Sequence, residues 1–153
     1  MRVVLCDLGL GNLRSVERAL LRAAELTGKG IEVHTTSHPE ELARGDKIVL
    51  PGQSAFRDCA RAVEGGLGDA LRERIAAGVP FYGMCMGLQL LFEESDESPG
   101  SRGLGVLAGR VKRLAGGLDG LTGTPLKIPH VGWNTVEPSG ARGLLPAEPT
   151  HFY

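Results

Sequence analysis

Residues 80–92 read Pro-Phe-Tyr-Gly-Met-Cys-Met-Gly-Leu-Gln-Leu-Leu-Phe. An apolar strand runs into a Gly-x-Cys-x-Gly turn and out into an apolar helix start, so the chain bends sharply at Cys85 between two residues that have no side chain. Such an elbow lifts one side chain above the edge of a sheet, and here that side chain is a thiol. The first amides of the following helix have no intrahelical partner and favour a thiolate over a thiol. The N–H of Met86, the next residue, is placed to donate to an oxyanion as an acyl group becomes tetrahedral. Gln89 lies one helical turn beyond Cys85, on the same face, within reach of an amide or carboxylate. A plainer reading is a tightly packed crossover with a buried structural cysteine. The apolar strand before the turn and the helix after it favour the nucleophile.

The rest of the chain alternates strand and helix. Residues 2–7 form a short apolar run, and residues 12–24 carry Leu13, Val16, Leu20 and Ala23 at helical spacing. Strand patterns recur at 31–36, at 47–50 ending on Pro51-Gly52, and at 79–84, with helical patterns at 39–42, 56–63 and 68–77 between them. Leu67, Leu71 and Ile75 share one apolar face, and Gly78 marks the helix end. This alternation predicts an α/β fold, a doubly wound, mostly parallel sheet with helices on both faces and ligands at the carboxyl ends of its strands. Cys85 stands at such an end. From about residue 95 the chain turns to glycine, proline and β-like runs at 103–107, 110–114 and 134–137, which predicts an antiparallel β extension. The acidic stretch 93–97 reads as a solvated loop.

At 153 residues the chain suffices for one domain with a real core. Its net charge is −1 and it has no run of Lys or Arg, so it lacks the electrostatic footprint of a nucleic-acid binder, and a small-molecule or protein partner is expected. No apolar stretch approaches membrane-spanning length and the first residues do not read as a signal peptide, so a cytoplasmic setting is expected. Cys6, Cys59 and Cys85 are an odd set with no C-x-x-C pair and no histidine at ligand spacing, which argues against both a disulfide framework and a zinc site. Cys6 in its apolar run and Cys59 among Phe56, Ala60 and Val63 read as small core residues.

Residues 50–54, Leu-Pro-Gly-Gln-Ser, end the third strand. Gly52 lets the backbone turn an N–H toward the strand ends that carry Cys85 and so complete an oxyanion hole. The alternative is an ordinary strand-to-helix turn in which Ser54 caps the helix.

Residues 83–89 together with the Pro51-Gly52 turn resemble the class I glutamine amidotransferases, a flavodoxin-like family. Within it, residues 9–15 (Gly-Leu-Gly-Asn-Leu-Arg-Ser), 89–95, 103–105 (Gly-Leu-Gly) and 129–134 (Pro-His-Val-Gly-Trp-Asn) are similar to the amidotransferase subunits of imidazole glycerol phosphate synthase, an enzyme of histidine biosynthesis. The likeness runs nearly end to end. It implies a glutaminase in which Cys85 attacks the glutamine carboxamide, the Gly52-Gln53 and Met86 amides hold the oxyanion, and water later releases glutamate from a thioester. It further implies that ammonia passes to a (β/α)8-barrel cyclase subunit, which converts a phosphoribulosyl aminoimidazole carboxamide intermediate to imidazole glycerol phosphate and the aminoimidazole carboxamide ribotide. Asn12 and Trp133 match positions that face this partner, and no cofactor or metal is implied.

The sequence departs from the family pattern in two places. Gln53 and Ser54 stand where valine and glycine are usual. The family completes its triad with a His-Pro-x-Glu-like segment near the C-terminus, whereas here the sequence closes on Thr150-His151-Phe152-Tyr153. His38-Pro39-Glu40 spells the motif but follows the second strand and reads as a helix start, with proline at the first position and acids in the first turn. His151 matches no catalytic position, His130 belongs to the segment before Trp133, and His34 lies in a strand. The resemblance thus implies that residues 1–153 are the N-terminal part of a type 1 glutamine amidotransferase domain, with the nucleophile half of the site and not the base half, and with little glutaminase activity alone. Another class I glutaminase, of the anthranilate or pyridoxal phosphate synthase type, or a non-catalytic docking module remain alternatives.

Overall fold

Val3, Val4, Leu5 and Cys6 are all buried, as expected of a strand covered on both faces. They form β1 (Arg2–Cys6), the first element in a computed structural model that describes residues 1–137 and 148–153. The chain divides into two compact units, Met1–Arg113 and Leu114–Tyr153.

In the first unit β1 is followed by α1 (Leu13–Thr27), β2 (Glu32–Thr36), α2 (Pro39–Leu42), β3 (Lys47–Gly52), α3 (Phe56–Ala62), α4 (Gly66–Ala76), β4 (Phe81–Cys85) and α5 (Met86–Gln89). The four strands form one parallel sheet in the order β2-β1-β3-β4. The order reverses between β1 and β3, so the loops leaving these two strands diverge and open a crevice at their carboxyl ends. The expected doubly wound α/β architecture is what forms.

Side chains on alternate faces of β1 serve two layers. Val3 and Leu5, with Val49 of β3, pack against Leu13, Val16 and Leu20 of α1. Val4 and Cys6, with Ile48 and Leu50, pack against Leu42, Phe56, Cys59 and Leu71 from α2, α3 and α4. The buried face of α1 ends on Ala24, whereas helical spacing had pointed to Ala23, which is exposed.

The C-terminal part of this unit departs from expectation. Acidic residues 93–97 do not form a solvated loop: β5 (Phe92–Ser95) takes in Glu93 and Glu94, and Arg110 of β6 (Leu107–Val111) pairs with both Glu94 and Asp96. β5 and β6 run parallel, not antiparallel, because residues 96–106 fold back across the start of β5 before β6 begins. The Glu94–Arg102 bridge in that return is antiparallel.

In the second unit the antiparallel extension is present. β7 (Asn134–Val136) pairs antiparallel with β8 (Thr150–Phe152). A separate bridge joins Leu118 to Pro125 around a turn built on Asp119, whose carboxylate accepts the N–H groups of Leu121 (3.0 Å) and Thr122 (2.7 Å). Those bonds, led by the one from Thr122, hold the Asp119 carboxyl below its ordinary value. Trp133 meets Tyr153 edge to face, with ring centroids 5.7 Å apart.

Candidate active site

β4 delivers Cys85 to the carboxyl end of the sheet and α5 begins at the next residue. Between them Cys85 takes φ 53° and ψ −111°, and it is the single non-glycine residue with positive φ among the described residues. A side chain held there costs on the order of 1–3 kcal/mol, which the surrounding structure must overcome. The glycines show how. A Cβ on Gly87 would stand 1.8 Å from the carbonyl oxygen of Leu50, and one on Gly83 would stand 2.6 Å from the carbonyl oxygen of Gly87. Only bare backbone lets the bend close against β3.

Gly52 is the register partner of Cys85 at the last rung of the β3–β4 ladder. Its own missing Cβ would lie 2.9 Å from that of Met86, so the two backbones run in contact beside the cysteine. Next to them is a cavity of about 90 Å³. Cys85 and Met84 form one wall, Pro51, Gly52 and Gln53 a second, and Gly11, Asn12 and Val16 a third. The third wall is fixed by Asp7, which accepts the Gly9 N–H at 2.6 Å, and by Asn12, which caps α1 by accepting the Ser15 N–H at 3.3 Å.

The three cysteines differ in chemistry. Cys85 is exposed, whereas Cys6 and Cys59 are buried. Burial, reinforced by the charge of Asp7, pushes the Cys6 thiol up to about 12. Burial first, then the charges of Asp58, Cys85 and Glu97, raise the Cys59 thiol. A buried thiol that resists ionisation is a poor nucleophile, so the core reading of Cys6 and Cys59 stands.

His38-Pro39-Glu40 is the start of α2, with Pro39 in its first turn followed by Glu40 and Glu41. It follows β2, the edge strand that lies three strand spacings, about 14 Å, from the strand that carries the cysteine. His34, in β2 itself, bonds Glu41 at 2.7 Å. No histidine of the first unit stands beside Cys85. Among the described residues no group of three or more His, Cys, Asp or Glu could hold a metal ion.

An exposed thiol on a strained elbow, with a glycine turn alongside and a small cavity between two strand-end loops, is the arrangement that nucleophilic attack on a carbonyl group calls for. Residues 7–136 match the family Glutamine amidotransferase class-I. The chain belongs to the class-I glutamine amidotransferase family. Among curated relatives of this amidotransferase, imidazole glycerol phosphate synthase subunit HisH of Neisseria meningitidis serogroup A is 40% identical over 156 residues, covering 100% of this chain and 73% of that one. The subunit of the same name from Methylococcus capsulatus is 46% identical over 135 residues, covering 88% and 60%. A crystal structure of a glutamine amidotransferase matches with a TM-score of 0.59 at 28% identity, over 72% of this chain and 56% of that one. The amidotransferase chain thus spans between about half and three quarters of the lengths it matches.

The sequence-predicted residues are not all in one place. Cys85, Met86, Gly52 and Gln53 converge on the elbow, and Asn12, read as a partner-facing residue, also lines the cavity. Gln89 ends α5, half-buried, and is not among the residues lining the cavity. Trp133 lies in the second unit and is 72% exposed. Ser54 does not cap α3: the capping position is Ala55, and the Ser54 hydroxyl donates to Asp58 at 3.3 Å. Sequence reasoning missed Gly11, Val16 and Met84 as cavity walls. For Gly11 the signal is the glycine-rich turn at residues 9–12 after the first strand, which resembles the family's turn.

Proposed function

We propose that this amidotransferase is the glutaminase subunit of imidazole glycerol phosphate synthase. The observation that carries the reading is the positive φ of Cys85, held by glycine contacts at the carboxyl edge of the sheet opposite Gly52. Nothing in a merely structural cysteine requires that strain. Relatives of that name, matched over the whole chain, supply the substrate and the pathway.

In the reaction the Cys85 sulfur adds to the carboxamide carbon of glutamine and the carbonyl π electrons move to oxygen. The amides of Met86 and of the Gly52-Gln53 turn donate to that oxyanion, and Gln89 orients the amino acid. The C–N bond then breaks as nitrogen accepts a proton and leaves as ammonia, giving a thioester that water hydrolyses to glutamate and free thiol. Family resemblance assigns proton transfer to a histidine and glutamate pair, and His34 and His38 are too distant to be that histidine. Ammonia passes to a cyclase subunit with a (β/α)8 barrel, with which the protein forms a cytoplasmic heterodimer of lyase activity. Asn12 and Trp133 face that partner, and both compact units belong to one amidotransferase domain, as the family match across their boundary supports.

The test is glutamate release by the protein together with its cyclase subunit. Glutamate release is expected to be weak, since neither His34 nor His38 can serve as the base, to depend on the cyclase, and to disappear in Cys85→Ala. Turnover that survives Cys85→Ala contradicts the reading.

A further inference from the structure

A single-turn helix cannot hold its own shape in water, because nucleation costs more than one turn returns. α5 spans four residues, yet the strained Cys85 backbone depends on it. The support comes from the Gly-Leu-Gly segment at residues 103–105, which has no role in the chemistry above. The Leu104 N–H donates to the carbonyl of Leu90 at 2.6 Å, and the Leu90 N–H donates to the carbonyl of Met86 at 2.9 Å. Gly103 lies flat on the chain below it: a Cβ there would stand 2.1 Å from the carbonyl oxygen of Phe92. The Leu104 side chain is 3% exposed and belongs to the main core cluster.

The other side of this clamp is fixed by α4. Arg72 donates its Nε–H to the carbonyl of Leu104 at 2.9 Å while its Nη1 pairs with Asp69 at 2.7 Å. Gly68, one turn earlier on the same helix, leaves room for the Leu104 side chain. An unbroken series of hydrogen bonds therefore runs from the Arg72 guanidinium through Leu104 and Leu90 to Met86, the residue whose amide adjoins the cysteine.

We infer that Arg72 is a positioning residue for the reaction: it latches the Gly103–Gly105 clamp onto α4, and the clamp sets the orientation of the Met86 amide and the Cys85 sulfur. The inference rests on the reading of Cys85 as the nucleophile. Arg72 touches no substrate. Its loss should slow the chemical step and leave substrate binding intact, since reacting groups tolerate little misplacement.

The experiment follows alkylation of Cys85 by a glutamine-like diazo-ketone, read by mass spectrometry over a range of reagent concentrations, in the whole protein. The expected result for Arg72→Met is a limiting rate lower by about fivefold, the size of one lost charge-assisted hydrogen bond at a half-exposed site, with an unchanged half-saturating concentration. Arg72→Lys, which keeps a cationic donor, recovers at least half of the lost rate. Asp69→Asn, which leaves the Leu104 bond in place, matches the parent protein. Cys6 and Cys59 stay unlabelled throughout, showing that the core has not opened. An Arg72→Met rate within twofold of the parent overturns the inference, as does an equal loss in Asp69→Asn or new labelling of Cys59. Should Arg72→Met fail to fold, Arg72→Gln carries the same comparison with the same thresholds. A parent protein unlabelled at Cys85 overturns the nucleophile reading and this inference with it, whereas a labelled parent with an unaffected Arg72→Met overturns the inference alone.

Discussion

Gly52 and Cys85 face each other across the last rung of the β3–β4 ladder, and the backbone of Gly52 runs against Met86 so closely that no side chain fits between them. The turn that presents the thiol and the turn that presents its neighbouring amides are therefore one packed unit.

Gly87→Ala should break that unit. Its new Cβ would sit 1.8 Å from the Leu50 carbonyl oxygen, which is backbone of a central strand and cannot swing aside. The expected loss is about 3 kcal/mol in urea unfolding, together with loss of Cys85 labelling. Gly30→Ala, with nothing within 4 Å of its new methyl, should stay within about 0.5 kcal/mol of the parent.

Phe56 is a fully buried side chain that joins α3 to the layer holding Ile48 and Leu50. Phe56→Ala should cost about 3–5 kcal/mol, the usual range when a core aromatic is deleted. A shift of the urea midpoint at constant slope is the expected readout.

Glu41 reports on the edge of the sheet. The Thr36 side chain first, and His34 second, hold its carboxyl down at about 2, below the ordinary 4.5. Because the folded value is depressed, these bonds stabilise the fold fully above the ordinary value and are lost as pH falls toward about 2. A carbon-13 NMR titration of the Glu41 carboxyl should give a midpoint well under that of an exposed glutamate, and a midpoint of 4.5 would refute the contact.

Much of the fold was legible because parallel strands buried on both faces read as short apolar runs, and β1 and β3 announce themselves in this way. The elbow was legible because two glycines bracket one cysteine. β5 was not, since the four acids among residues 93–97 read locally as a solvated loop and the arginine that neutralises two of them, Arg110, stands well along the chain. The parallel course of β6 was hidden for the same reason: it depends on a return loop whose hydrogen bonds are non-local. At the site, the role of Gly11 follows from its approach to Gln53, where a Cβ on Gly11 would stand 3.4 Å from the Gln53 backbone nitrogen, and no local pattern encodes this. The Arg72–Leu104 bond joins residues of two different elements and has no sequence signature.

The proposed docking of a cyclase subunit against Trp133 has a native reporter in that residue, the sole tryptophan and 72% exposed. An aromatic ring of that kind is a frequent interface anchor. Addition of the cyclase subunit should shift its emission to the blue, in a difference spectrum against the cyclase alone, and Trp133→Ala should weaken the complex by about tenfold or more. An unshifted spectrum at saturating cyclase would remove Trp133 from the interface.

The central claim is that one thiol of three is a nucleophile shaped for glutamine. Its most direct test is mass spectrometry of the protein after treatment with a stoichiometric glutamine-like diazo-ketone, with and without excess glutamine. The account predicts a single adduct, on Cys85, formed faster than with free cysteine and slowed by glutamine. Adducts spread over Cys6, Cys59 and Cys85, or a Cys85 rate no greater than that of free cysteine and indifferent to glutamine, would contradict it.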